Sequence, residues 1–476
     1  MAPTYRQTMT FDLKTPGRTL LVDDHRWYDQ SATYKAALSQ AGIPFDFWVN
    51  SGGAGDTGPP ADLLPAYEFV FWYTGYDWFR PITTAESKTL SAYLAQGGRL
   101  FLSSQDYMYY HAKDALTRDY LGVMHYAESV TPTIAYGPAN QGPFGDLGGP
   151  YPLSFEPYQN NGDGLVPAPG AQVSLWHDAG YPAGLAAAGP DWRTVFWGIP
   201  LETLPPSVHA RAMDRILGWL SDLGQSTFAV GGRNSLPGIA QAYTLTLRYS
   251  SAGPGTEAAV TNTLPISLAI VPASLTGGAN YDQAAHRITW SGTLHPGQEH
   301  RIAYRATPDP NSLPGQLIEN HVEIYYEDHD LSFERTARTW IASPDLASSQ
   351  VTFQPRVARP GQNVTVEVTL LNIGLPASVS ATLRFPAEVR PLTDTLRMTS
   401  GETSWADQQV TWSGNIEAGQ PVTAALVITT TLSPAPDWLP ITVYLEDHHT
   451  DLVIVSSLLE IRPFTSHMPL IFMNKP

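Results

Sequence analysis

The sequence predicts a multidomain α/β plus all-β protein: a parallel-sheet domain with an inserted irregular segment, then two β-sandwiches in tandem. Three observations predict it. Through about residue 225, short apolar runs alternate with helical segments, the pattern of strands joined by crossover helices. From about Thr227 the helical signal stops, and two-residue alternation with turn punctuation takes over. Two segments then recur. Arg287-Ile-Thr-Trp-Ser-Gly292 returns as Gln409-Val-Thr-Trp-Ser-Gly414, and Tyr326-Glu-Asp-His329 as Leu445-Glu-Asp-His448. The spacing is 122 residues from Ile288 to Val410 and 119 from Glu327 to Glu446, a duplicated unit of sandwich size.

The elements follow in order. Arg18-Thr-Leu-Leu-Val-Asp23 is a short apolar run, as expected of a buried parallel strand. Ser31 is placed to cap a helix running through Gln40, which Gly42 stops. Phe45–Val49 and Tyr67–Tyr73 supply two more strands. Thr83-Thr-Ala-Glu86 is a capping box, and the helix it opens carries Leu90, Tyr93 and Leu94 on one face before Gly97-Gly98 ends it. Arg99–Ser103 is the fourth strand and Thr194–Gly198 the fifth. A helix from Pro206 to Leu220 shows Met213, Ile216, Leu217 and Leu220 at helical spacing. Between strands four and five, residues 122–192 are dense in Gly, Pro, Asn and Tyr and read as a β-rich excursion over one sheet edge. The predicted organisation is an extension 1–17, an α/β domain 18–225, sandwiches 226–343 and 344–464, and a tail 465–476. A Pro/Ser joint at Ser343-Pro344-Asp345 separates the sandwiches.

Composition excludes whole classes of function. With 27 Lys+Arg against 44 Asp+Glu the net charge is −17, and this deficit of basic residues argues against nucleic acid or an anionic membrane as a partner. Zero cysteines exclude disulfides, thiolate metal sites and a cysteine nucleophile. No apolar run approaches the ~20 residues of a spanning helix. The start, Met1 to Arg6, has no apolar core and is not a signal peptide. Abundant Gly, Pro, Thr, Ser and Tyr with few Lys nevertheless match secreted β-modules. The expectation is an extracellular or cell-surface protein, its leader trimmed or truncated.

Leu20-Leu-Val-Asp-Asp24, Phe71-Trp-Tyr-Thr-Gly75, Gly97-Gly-Arg-Leu-Phe-Leu-Ser103 and Phe196-Trp-Gly-Ile-Pro-Leu-Glu202 carry a resemblance. Over residues 15–225 the chain resembles class I glutamine-amidotransferase-like domains, which implies a flavodoxin-like fold, and above all the non-enzymatic versions joined to secreted bacterial proteases and surface proteins. The later half resembles the Ig-like conserved-repeat modules of bacterial surface proteins. The paired Thr-Trp-Ser-Gly segments and Asn363-Val-Thr-Val-Glu-Val-Thr-Leu-Leu-Asn372 carry that likeness. The end, His467 to Asn474, resembles the short apolar tail of exported multidomain proteins.

The residues that the amidotransferase family uses for chemistry are not matched. Its cysteine position falls nearest Ser104 in Leu102-Ser-Ser-Gln-Asp106, without the flanking glycines, and its His-x-Glu relay nearest Glu202, without the His. A serine hydroxyl attacks only where a base takes its proton, and no pattern places His111 or His125 beside Ser104. A serine-dependent hydrolase at Ser104 therefore remains a lesser alternative. Asp23-Asp24 matches the acidic pair of phospho-receivers. The third strand, however, ends in Trp72-Tyr73-Thr74-Gly75 with no acceptor Asp. These carboxylates read as caps of the following turn, or failing that as oxygen ligands of a divalent cation. The Tyr326–Asp330 and Leu445–His449 stretches read as solvated hairpin tips.

The aromatic clusters are the most informative feature. Tyr73–Phe79 follows the third strand and Tyr107–Tyr110 the fourth. In open α/β sheets the crevice lies beyond the carboxyl ends of the strands, so both clusters should flank it. The candidate ligand cleft comprises Asp23, Asp24, Tyr76, Asp77, Trp78, Gln105, Asp106, Tyr107 and Glu202. Aromatic faces beside acids and amides suit a sugar ring. The competing reading is that the rings seat the inserted segment on the sheet. The expected function is a non-catalytic surface scaffold or binding protein, with a carbohydrate-binding module as alternative. No cofactor and no metal are expected. The partner is a glycan or another surface protein, with the oligomeric state left open.

Overall fold

The structure, a computed structural model, describes residues 18–50, 58–138, 142–251, 253–430, 438–447 and 452–462. The expected extension 1–17 and the tail from 465 lie outside them, as does His448 of the second repeat. Up to residue 225 the strands are β1 (Thr19–Asp23), β2 (Asp46–Val49), β3 (Phe69–Gly75), β4 (Arg99–Ser104), β5 (Val123–Ala127) and β6 (Ile134–Tyr136). They continue with β7 (Tyr151–Pro152), β8 (Gly164–Pro167), β9 (Gln172–His177), β10 (Pro182–Ala188) and β11 (Arg193–Trp197). The helices are α1 (Ser31–Gln40), α2 (Thr84–Ala95), α3 (Tyr107–His111), α4 (Ala115–Tyr120) and α5 (Pro206–Leu220).

Five strands lie parallel in the order β2-β1-β3-β4-β11. Side chains alternate between two covered faces, as a two-residue period demands. Leu21, Phe71, Phe101 and Val195 pack with Tyr34 and Leu38 of α1 and with Met213, Ile216 and Leu220 of α5. Leu20, Val70, Trp72, Leu102 and Phe196 pack on the other face with Leu90 and Leu94 of α2 and Leu116 of α4.

The inserted segment does not lie over the sheet edge. It prolongs the sheet: β10, β9, β6 and β7 add antiparallel strands beyond β11, and β5 pairs with β8 as a separate ribbon. Pairing satisfies the free backbone groups that β11 would otherwise present as an open edge. The Thr83–Glu86 capping box forms as expected. Ser31 is not the cap of α1 but its first residue, and the Asp29 carboxylate accepts the Ser31 N–H at 2.8 Å.

Two sandwiches follow. The first contains β12 (Thr227–Val230), β13 (Asn234–Ser235), β14 (Gln241–Arg248), β15 (Thr256–Thr263), β16 (Leu268–Val271), β17 (Asn280–Asp282), β18 (Arg287–Leu294), β19 (Glu299–Pro308), β20 (Leu317–Tyr326) and β21 (Leu331–Ile341). The second contains β22 (Gln350–Gln354), β23 (Val357–Ala358), β24 (Asn363–Leu370), β25 (Ala377–Arg384), β26 (Val389–Pro391), β27 (Arg397–Met398), β28 (Glu402–Ala406), β29 (Gln409–Ile416), β30 (Val422–Thr430), β31 (Trp438–Glu446) and β32 (Val453–Ile461). Sheets β12-β14-β19-β16 and β13-β21-β20-β15-β18-β17 have position-by-position counterparts in β22-β24-β30-β26 and β23-β32-β31-β25-β29-β28. The two Thr-Trp-Ser-Gly segments fall on β18 and β29, the same place in each copy. Each pair of sheets closes on a core of its own.

The seams are tightly bonded. The Arg215 Nε donates to both oxygens of Asp146 at 2.9 Å, and Asp146 also accepts the Thr336 N–H of β21 at 3.0 Å. The tip after β20 is not merely solvated: His329 stacks on Tyr326 and pairs with Glu68 at 2.7 Å. At the joint near Ser343, the Asn372 amide oxygen accepts the N–H groups of Asp345 and Gly374, both at 2.9 Å. The second sandwich also touches the α/β part, where the turn between β9 and β10 meets β31 and β32. There the Tyr181 hydroxyl donates to Trp438 O at 2.8 Å and the Ser456 hydroxyl to Gly180 O at 2.6 Å.

Candidate functional site

The strand order determines where a crevice opens. The chain leaves β1 towards β2 on one side and leaves β3 towards β4 on the other, so the two loops part at the carboxyl ends of β1 and β3. Both loops are rich in aromatic residues. Trp27 and Tyr28 follow β1, and Tyr76, Trp78 and Phe79 follow β3. Trp27 stacks on Trp78 with centroids 5.3 Å apart and planes at 9°. Tyr76 stacks on Tyr158 of the inserted segment at 5.1 Å, and Tyr28 touches both at 5.7 and 5.5 Å. Phe79 meets Tyr110 edge-on at 6.3 Å, so the two clusters expected from the sequence do join. Trp27 is 44% exposed and Trp78 50%, which makes the outer rings a platform facing solvent. The inner rings seat the insertion and the outer ones do not. The seating reading thus holds for the inner rings.

Beneath the platform lies an acidic floor. Asp77, buried, accepts the Phe79 N–H at 3.0 Å and pairs with Arg26 at 3.4 Å; burial pushes its carboxyl up to about 6. Arg26 in turn lies over the rings of Trp27 and Phe79, at 5.3 and 5.5 Å. Glu202 accepts hydroxyl protons from Tyr34 at 2.8 Å and from Tyr158 at 3.0 Å, and burial raises its pKa. Gly75 makes room for it. With φ at +55°, a Cβ there would stand 3.2 Å from the Glu202 carboxylate.

Asp23 and Asp24 do not form a pair, because neighbouring residues of a strand face opposite sides. Asp24 turns to the α2 side, where Asn50 donates to it at 2.6 Å and Trp72 Nε1 at 2.9 Å. Burial, with Glu86 close by, raises its pKa. Asp23 turns to the α1 side and is hydrogen-bonded to His25 Nδ1. One ligand atom each from Asp23, His25 and Asp29 lies within 4.8 Å of the others, a grouping able to hold a metal ion.

The β4 end differs from expectation. Ser104 is wholly buried and its hydroxyl accepts that of Thr74 at 2.7 Å. Among the described residues no imidazole or carboxylate is hydrogen-bonded to it, so nothing takes its proton. Gln105, also buried, donates to Asp106 and to Gln159 O, each at 3.2 Å. Burial pushes Asp106 up to about 6. Tyr107 leaves the cleft: α3 begins there and turns the ring inward against Phe196 at 5.3 Å, with Thr117 at its hydroxyl. Of the expected residues, Asp23, Tyr76, Asp77, Trp78 and Glu202 therefore gather at the crevice between β1 and β3. Asp24 and Tyr107 turn away, and Gln105 and Asp106 hold the β4 side. Trp27, Tyr28, His25 and Asp29 were not among the residues expected, although the segment Asp23-Asp-His-Arg-Trp-Tyr-Asp29 directly after a strand marks them. Tyr158 had no local signal. A cavity of about 570 Å³, lined by Asp214, His321, Glu323 and Glu334, lies away from this crevice beside the first sandwich.

No protein-family model matches the chain. No curated protein matches it either. Among solved structures it is similar to a cytoplasmic protein from Salmonella typhimurium, with 13% identity over 43% of this chain and 98% of that one and a TM-score of 0.32. It is also similar to the N-terminal domain of the Streptococcus gordonii adhesin Sgo0707 (12% identity, 47% and 61% covered, TM-score 0.22). A third is the Enterococcus faecalis MSCRAMM ACE (8% identity, 50% and 94% covered, TM-score 0.21). At such scores none of the three bears on fold or function. Among the described residues no helix is long and apolar enough to cross a membrane.

Proposed function

We propose that this chain is an extracellular or cell-surface binding protein whose α/β part captures carbohydrate on the aromatic platform. In this reading the α/β part is a flavodoxin-like, non-catalytic relative of the class I glutamine-amidotransferase-like domains. The parallel order β2-β1-β3-β4-β11 supports that relation. The two sandwiches act as Ig-like mounts. Their seams hold them against the α/β part, so they serve as a bracket rather than an extended stalk.

The observation that carries the proposal is the Trp27–Trp78 stack, half exposed, at the β1/β3 switch point and above an acidic floor. Flat apolar faces accept the C–H face of a sugar. Ser104 is buried against Thr74, and among the described residues no imidazole or carboxylate is hydrogen-bonded to it, which favours binding over hydrolysis. The test is a glycan array with the whole chain and its Trp78→Ala form. Retention of one oligosaccharide class by the native chain and its loss in the variant supports the reading; no bound sugar removes it.

A further inference from the structure

The segment Asp23 to Asp29 divides its residues by direction. Trp27 and Tyr28 join the platform, Asp24 enters the α2 side, and Asp23, His25 and Asp29 converge below the rings. Among the described residues no other set of three such ligand groups comes together. An ion bound at 2.0–2.2 Å by imidazole nitrogen and carboxylate oxygen holds its tetrahedral ligand atoms about 3.4 Å apart. A set already within 4.8 Å reaches that spacing by small side-chain rotations. Asp29 is exposed and His25 half-buried, so both can rotate, while Asp23 is buried at the end of β1. The Asp29 carboxylate accepts the Ser31 N–H at 2.8 Å.

A second observation points to a ligand there. Tyr73 is 0% exposed, and its hydroxyl makes no hydrogen bond of ordinary geometry. It stands opposite Asp23 in the register of β1 and β3, close to that carboxylate, with Asp29 and Glu202 as further charged neighbours. Two carboxylates, Asp23 and Asp29, converge there on a single imidazole.

We propose that Asp23, His25 and Asp29 bind one divalent first-row transition ion, with Tyr73 and Glu202 facing it. The imidazole nitrogen selects such an ion over calcium or magnesium, which prefer all-oxygen sites. The site stands whether or not the platform above it takes a sugar.

The experiment is calorimetric titration of the whole, chelator-treated chain with Zn²⁺ and with Ca²⁺, repeated on Asp29→Asn and His25→Ala. The native chain is expected to bind one Zn²⁺, at least about tenfold more tightly than Ca²⁺, and each variant to weaken Zn²⁺ by about tenfold or more. Asp29 is exposed, so Asp29→Asn keeps the fold, and its unchanged metal-free melting temperature confirms this. Absence of one-to-one binding overturns the proposal. So does an unaltered Zn²⁺ affinity in both variants, which would place the ion on other histidines.

Discussion

Trp27 and Trp78, one from the loop after β1 and one from the loop after β3, stack face to face with 5.3 Å between centroids. The contact bridges the switch point of the sheet, and each ring leaves about half its surface to water. Core packing does not need such rings. Trp78→Ala should therefore cost little stability, about 0.5–1.5 kcal/mol for the lost ring pair. Urea unfolding of native and variant chains measures this, and a loss of several kcal/mol would make Trp78 a core residue instead.

The seam between the α/β part and the second sandwich depends on Gly180. At φ +86° its added Cβ would lie 2.4 Å from Thr442 Oγ1 and 2.8 Å from Pro440 Cβ. Gly180→Ala should open that seam at a cost of about 1–3 kcal/mol. Small-angle scattering should show a larger radius of gyration; an unchanged radius would mean that the sandwich is held elsewhere.

Arg215 and Asp146, with side chains 3% and 6% exposed, form the buried pair that ties α5 to β21. Removing Asp146 leaves Arg215 with Asp214 as its close partner and leaves the Thr336 N–H without its acceptor. Asp146→Ala should therefore cost about 1–3 kcal/mol. Urea unfolding of both chains measures this, and an unchanged unfolding free energy would show that Asp146 contributes nothing to the seam.

Burial pushes the carboxyls of Asp77 and Asp106 from 3.8 up to about 6 in the folded chain. The folded state thus keeps protons that the unfolded state releases. Their contribution to stability is full below the unfolded value and is lost as pH rises through about 6. Asp106→Asn should flatten the fall in unfolding free energy between about pH 4 and about pH 7.5. An identical slope in the variant would show that Asp106 ionises as freely as in water.

The strands and the α2 cap were legible because their signals are local: short continuous apolar runs for β1, β3 and β4, and Thr83 with Glu86 for the cap. The duplication was legible through Trp290 and Trp412, which repeat a whole strand. The site was only half legible. Asp23 and Asp24 read as a pair in sequence, although the pleat sends them to opposite layers. Tyr107 read as a cleft residue because nothing local marks where α3 starts. Tyr158 and Asp146 act on partners 82 and 69 residues away in Tyr76 and Arg215, a distance no periodicity spans. The direction of the insertion was illegible for the same reason: sheet extension is decided by the free edge of β11.

The exposed aromatic platform at the β1/β3 crevice should bind sugar. Calorimetry of the whole chain with an array-selected oligosaccharide, alongside its Trp27→Ala and Trp78→Ala forms, tests it most directly. Binding should be saturable, and each substitution should weaken it by about tenfold or more, worth about 1.4 kcal/mol, at unchanged fold. Equal affinity in all three proteins would contradict it.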